Sequence, residues 1–318
     1  MKPRRPYWIV LLVLLLAAVA VSAKLGVVSY SWGDLLQADI FWNLRLPRIL
    51  LAVVTGAALS VCGAAYQSIF RNPLTDPYVL GISSGASLGA AVAILLGLEA
   101  WLLGVGACAL ATGLLTIVVI YRIASIGNRM HTTTLLLTGV CLTFLISALV
   151  SVLMVLHQDK MDSIIFWTMG SFASATWMDV ALVAPVVLVG TGVVLYHCRD
   201  LNLLLAGSEA ARSMGVEVER VKKTLLLVTT LMVAFCVSAS GVIGFVGLVV
   251  PQCVRLLFGP DNRRVVPYSI LAGALFLLLC DTLARTVLMP AELPVGSLTA
   301  MVGAPLFIYL LYKNKKGY

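Results

Sequence analysis

The chain has 318 residues, of which 61% are hydrophobic and only 11% charged, against roughly 25% charged in a typical soluble domain. That much apolar surface excludes a water-soluble globule and makes lipid the solvent. The net charge of +8 calls for no nucleic-acid partner, because the basic residues fall on short loops between hydrophobic segments.

Ten segments are expected to cross a bilayer, each near the roughly 20 apolar residues that a spanning helix needs. The first, Tyr7–Val28, follows a basic stretch and contains Val21-Ser22-Ala23, which has the look of a signal-peptide cleavage site. Its apolar run continues past that point with only Lys24 interrupting, so an uncleaved first helix is expected. The second, Leu46–Ile69, is introduced by Arg45-Leu46-Pro47-Arg48. Beyond it, Arg71-Asn72-Pro73-Leu74-Thr75-Asp76-Pro77 holds two prolines four apart, which forbid a continuous helix, and Asn72 and Asp76 suit turns. Such a break is either a plain loop or a constriction beside a water-filled path.

The third and fourth spans are Val79–Leu98 and Trp101–Ile123. A GxSxG pattern at Gly81-Ile82-Ser83-Ser84-Gly85 lacks the strand-to-helix setting of a nucleophile elbow. Gly81, Gly85 and Gly89 instead line one helix face, a spacing that lets membrane helices approach closely. The fifth and sixth spans, Thr134–Leu156 and Met178–His197, flank the stretch Asp162–Trp177.

A polar island, Arg199–Lys223, follows. Within it Ser208 suits an N-cap, Glu209 an acid-favouring first turn, Arg212 a last turn and Gly215 a left-handed terminus. A helix this short is marginal in water and needs a surface to lie against. Thr224–Ser240 and Gly244–Phe258 come next, nearly touching at Gly241–Gly244, where a protein-buried turn is expected. Pro267–Leu288 and Val295–Tyr312 complete the set.

With both termini inside, 17 of the 22 Lys and Arg residues fall on the inner side and 5 outside. The positive-inside rule therefore sets the orientation. The outer minority includes Arg45, Arg48 and Arg285, which either snorkel to lipid head groups or dock an acidic partner through bidentate pairs. Asp179, Asp281 and Glu292 are placed near span ends, within reach of water. No mid-membrane acid is expected, which argues against an ion-coupled carrier. Cys62, Cys108, Cys141, Cys198, Cys236, Cys253 and Cys280 stand singly as packing residues, and His131, His157 and His197 form no ligand pair, so no metal or cofactor is expected. No GxxxxGK[ST] loop is present, so no ATP site of that kind is expected in this chain, nor any enzymatic activity.

Several separated motifs carry a family resemblance. They are Arg45-Leu-Pro-Arg48, Gly56-Ala-Ala-Leu-Ser60, Gly63-Ala-Ala-Tyr-Gln67, Asn72-Pro-Leu74 and Leu80-Gly-Ile-Ser-Ser-Gly-Ala86 in the first half. Gly244-Phe-Val-Gly-Leu-Val-Val-Pro251, Gly259-Pro-Asp261, Asp281-Thr-Leu-Ala-Arg285, Glu292-Leu-Pro-Val-Gly296 and Gly303-Ala-Pro305 follow in the second. In order and spacing the whole chain resembles the permease subunits of ABC importers for iron-siderophores, haem and cobalamin.

The resemblance implies an all-α polytopic membrane protein with about ten transmembrane helices, the type II ABC importer permease fold, as a single domain over 1–318. It implies pairing with a second copy, two cytosolic ABC ATPase subunits below, an extracytoplasmic substrate-binding protein above, and a plasma-membrane location with cytosolic termini. Gly207, Ser208, Glu209, Ala210, Ala211, Arg212, Ser213, Met214 and Gly215 resemble the segment that couples to the ATPase. Arg45, Arg48 and Arg285 resemble arginines that receive the binding protein's glutamates. Asp162–Trp177 is similar to a short outer helix of the same family. Asn72 and Leu74 resemble one part of a cytosolic gate, and Thr132 and Thr133 the other, with His131 standing where a small residue would be expected. A channel or ion-coupled carrier working without an ATPase is the alternative reading.

Overall fold

The computed structural model describes residues 7–26, 38–100, 104–126, 129–130 and 132–315. Expected features at Lys2, Arg4, Arg5, His131 and Lys316 lie outside them. Apart from a ribbon pairing Ser125–Ile126 with Arg129–Met130, the regular elements described are helical. They are α1 (Tyr7–Lys24), a π-turn (Phe41–Arg45) running into α2 (Leu46–Ile69), a 3-10 turn (Pro77–Leu80), α3 (Ile82–Leu95) and α4 (Gly104–Ala124). Next come α5 (Thr132–Leu156), α6 (Met161–Thr168) and α7 (Trp177–Tyr196), then α8 (Cys198–Ala206) and α9 (Ser208–Ser213). The chain continues through α10 (Val218–Ser240), α11 (Val246–Phe258), α12 (Asn262–Ala284) and α13 (Val295–Lys315), with single 3-10 turns at Leu98–Ala100 and Gln158–Lys160.

Among the described residues seven helices are long and apolar enough to cross a membrane, and three shorter apolar ones, Ile82–Leu95, Val246–Phe258 and Val295–Leu310, fall on the remaining expected spans. Two boundaries moved outward. The seventh span begins at Val218 and the ninth at Asn262, because basic residues at an inner helix end keep their charges in the interface while the backbone is already helical. Of Asp162–Trp177, only the part up to Thr168 is helical, in α6, and the remainder is a turn leading into α7 at Trp177.

Helix α2 is the hub, buried along most of its length. Lipid tails are as apolar as leucine, so helices associate here by close packing of small residues rather than by a hydrophobic gain. A methyl group added at Gly63 would collide with the Gly247 carbonyl of α11, and one at Gly56 with the Gly273 carbonyl of α12. On α3, Gly85 and Gly89 lie against Thr116 and Thr112 of α4, but Gly81 does not share their face: it precedes the helix as a left-handed cap at φ 73° and lies against Gly139 and Thr143 of α5. By contrast α1, α5 and α7 expose large apolar side chains such as Val13, Phe144 and Leu188, the surface that faces lipid or another chain.

Helix α11 has 13 residues and rises only about 20 Å, short of a bilayer core of about 30 Å. Its N-terminal end follows the segment from Gly241 to Phe245, a turn packed within the protein as the sequence suggested. There Ile243 is fully buried, its N–H donates to the Tyr78 hydroxyl at 3.3 Å, and Phe245 takes a left-handed φ of 69°.

Candidate functional site

The polar island folds into two helices, not one. His197 Nδ1 meets Asp200 Oδ2 at 2.7 Å as α8 begins, and α8 buries Cys198, Leu201 and Leu204 on one face. Gly207, at φ 122°, turns the chain into α9. Gly207 therefore occupies the cap position expected of Ser208, whose hydroxyl instead accepts from Lys222 Nζ at 3.2 Å. The other end is as read: Gly215 is left-handed at φ 86°, and Val216 N–H returns to the Ala211 carbonyl at 3.0 Å, closing a Schellman motif. Six residues would not hold as an isolated helix. Here Ala211 is buried, and Arg212 reaches Glu219 of α10 at 3.0 Å. Glu209, Arg212, Ser213, Met214 and Gly215 remain exposed at the tip, Met214 at 62%.

The arm of α8 and α9 meets the rest of this side of the bundle at two places, one a close approach and the other hydrogen-bonded. On one side the Arg71 guanidinium lies beside Gly207, 3.8 Å from where a Cβ would stand. Arg71, at φ 52°, opens the turn in which Asn72 Oδ1 accepts from Leu74 N–H at 2.9 Å. On the other side Asn202 of α8 donates to Asp261 Oδ1 and accepts from Asn262 N–H, both at 2.7 Å. Arg255 of α11 then links Asn262 Oδ1 and Ser68 Oγ of α2, both at 3.0 Å. Burial opposes ionisation of Asp261, but the Arg263 amide, the Asn202 side chain and the two neighbouring arginines outweigh it and hold the carboxyl below its usual range.

Asn72 and Leu74 are exposed in their turn, while Thr132 is half-buried and Thr133 exposed at the start of α5. Among the described residues no hydrogen bond joins the two pairs. They share the same side of the helix bundle, since the 3-10 turn after Leu74 packs on α5 at Gly139. Burial raises the Asp76 carboxyl to about 6, even though it accepts from Tyr78 N–H.

At the opposite side of the bundle the three outer arginines are buried, at 6% exposure for Arg45, 8% for Arg48 and 6% for Arg285. Arg48 grips Asp281 with Nε and Nη2 at 2.9–3.2 Å and Glu292 with Nη1 at 2.9–3.0 Å. Arg45 Nη1 donates to the Ala23 carbonyl of α1 at 2.7 Å, and Arg285 Nη2 donates to the backbone and hydroxyl of Ser22. Asp281 is fully buried, which corrects the reading that water reaches it. A neutralising pair of arginines, Arg285 lying 3.8 Å away, is what allows a carboxylate to sit there. Glu292 differs, with 37% of its side chain exposed. The Arg285 Nε has no hydrogen-bond acceptor among the described residues.

A profile of the FecCD transport family matches residues 9–313. The chain belongs to the FecCD transport family. It is 44% identical over 272 residues to the cobalamin import system permease protein BtuC of Halobacterium salinarum, covering 86% of this chain and 73% of that protein. It is 39% identical over 324 residues to the hemin transport system permease protein HmuU of Yersinia pestis, covering 96% and 95%. Among solved structures, a metal-chelate type ABC transporter in an inward-facing conformation superposes with a TM-score of 0.88 at 35% identity, covering 96% of this chain and 98% of that one.

This FecCD chain also has an open cavity of about 600 Å³ beside the arginine cluster, bounded by Trp167 of α6, Ser171, Ser238 of α10, Gly241 and Glu292. Glu292 thus stands between the arginine cluster and the cavity. Sequence reasoning missed α8, Asn202 and the Arg71–Gly207 approach. The apolar spacing of Cys198, Leu201 and Leu204 was the available signal for α8. Nothing local marked the other two, because each depends on which helices become neighbours.

Proposed function

We propose that this chain is the membrane permease of an ATP-driven importer carrying a metal chelate, of the cobalamin or haem kind, inward from an extracytoplasmic binding protein. Two copies would flank the path in a plasma membrane, termini inside, with ATP hydrolysed on separate subunits. The exposed tip of α9, held between the turn at Arg71 and the Asn202–Asp261 contact, carries the proposal. An ATPase gripping Met214 and its neighbours would move the Asn72–Leu74 turn directly and α12 through α8, a shift of near-rigid helices.

Docking on the outer side falls to Arg48, Arg45 and Arg285. Because Asp281 is enclosed and Glu292 partly solvated, an incoming carboxylate would displace Glu292 and leave the Arg48–Asp281 pair intact. Such contacts set orientation and on-rate more than affinity. Release of Glu292 would also open the rim of the adjoining cavity.

Reconstitution with the co-purified ATPase subunits tests the coupling role, using cyanocobalamin and haemin uptake as readouts. Glu209→Arg and Met214→Asp are expected to cut uptake and transport-linked ATP hydrolysis at least tenfold. Unchanged uptake in both variants would overturn the assignment. Uptake with no nucleotide present would favour the channel or carrier reading instead.

A further inference from the structure

We propose that the seam between α1 and α12 holds the head group of an anionic phospholipid from the inner leaflet. The inner placement rests on the orientation proposed above; the rest stands on the seam itself. A cavity of about 380 Å³ opens there, lined by Trp8 of α1 and by Arg263, Arg264, Pro267, Tyr268 and Leu271 of α12. That volume is within the range of small-ligand sites.

The chemistry of the lining is graded along the helix. Arg264, Tyr268 and Leu271 are spaced i, i+4 and i+7, so they share one face of α12. Tyr268 lies roughly 6 Å and Leu271 roughly 10 Å further along the axis than Arg264. Charge, aromatic ring and aliphatic chain therefore succeed one another in the order of a lipid's phosphate, glycerol region and acyl chain. Trp8 is 53% exposed beside them, the amphipathic ring typical of a membrane interface. The wall is firm: Tyr268 stacks on Phe258 at 4.2 Å, and Phe258 meets Tyr7 at 5.6 Å.

The two arginines share Asp261 as a neighbouring counter-charge, one carboxylate against two guanidinium groups, both of which help hold it below its usual range. Among the described residues neither guanidinium makes an ion pair or a side-chain hydrogen bond. Their nearest acid, Asp261, is already engaged by Asn202 and by the Arg263 amide, at 2.7 and 3.0 Å. Both also sit in the first turn of α12, the end where the helix dipole disfavours cations. Two adjacent cations at the unfavourable end of a helix, over a lipid-exposed cleft, fit an anion with apolar tails. A basic pocket between membrane helices on the inner side is a recognised setting for such head groups.

The test is native mass spectrometry of the purified full chain in micelles holding equal dioleoylphosphatidylglycerol and dioleoylphosphatidylcholine. One glycerol lipid is expected to be retained about 30-fold over the choline lipid, since each basic side chain contributes roughly fivefold. Arg263→Ser/Arg264→Ser is expected to bring the ratio near one. Arg199→Ser/Arg220→Ser, which removes equal charge elsewhere on the inner side, should leave it unchanged. Should the double serine variant fold poorly, Arg263→Ser alone is expected to lower the ratio roughly fivefold. Equal enrichment in wild type and the Arg263 variants would overturn the proposal. So would displacement of the lipid by millimolar inorganic phosphate, which would assign the cleft to a free anion.

Discussion

Arg48 shows how one buried cation organises a region. It bridges α2, α12 and the segment carrying Glu292, and it is the main neutralising partner of fully buried Asp281. Removing one member of a buried pair leaves an uncompensated charge and typically costs about 3–5 kcal/mol, whereas replacing both with apolar residues is often neutral. Arg48→Ala is therefore expected to lower thermal stability in detergent sharply, and Arg48→Met/Asp281→Leu to restore most of it. Equal loss in both variants would show that the charge pair is not the stabilising unit. The sequence revealed these arginines as anomalies on the outer side but not their burial. Arg48 lies 233 residues from Asp281 in the chain, and only the packing of α2 on α12 brings them together.

At the scale of elements, the ten apolar helices were legible because hydrophobicity over about 20 residues is a strong signal. The Gly85–Gly89 face of α3 was legible too, since its spacing alone defines it, while Gly81 falls off that face because it precedes the helix. What stayed hidden was partner choice. Gly63 and Gly56 read simply as small residues, yet each is pressed against a backbone carbonyl of a different helix. A carbonyl in a helix ladder does not yield, so Gly63→Val is expected to force α2 and α11 apart. A penalty at or above the usual 1–3 kcal/mol for overpacking follows. Thermal unfolding of the variant measures it, with Gly97→Val as the comparison, because a Cβ at Gly97 meets nothing within 4 Å and only its left-handed backbone, φ 71°, resists the change. The short polar helix α9 was partly legible: its Gly215 terminus was readable, but its start was displaced by one residue because Gly207 took the cap.

For the molecule as a whole, the proposed orientation rests on charge asymmetry: ten alternating spans with both termini inside would put 17 of the 22 basic residues on the inner side. Ser213→Cys, at the exposed tip of α9, is expected to react with a membrane-impermeant maleimide only in inside-out vesicles. A cysteine at Asp159, beyond the far end of α5, should react only in right-side-out ones, in a background lacking exposed Cys141. The reverse pattern would invert the orientation and remove the tip from any cytosolic ATPase.

The arm formed by α8 and α9 is fastened at two points along its length, by Asn202 of α8 to Asp261 at the head of α12 and by Ser208 of α9 to Lys222 of α10. A plank pinned at a single point swivels when struck; pinned at two, it passes the blow to both supports together. Under the proposed coupling, force applied near Met214 would rock α10 and α12 in step, and cutting either fastening would leave the ATPase turning against slack.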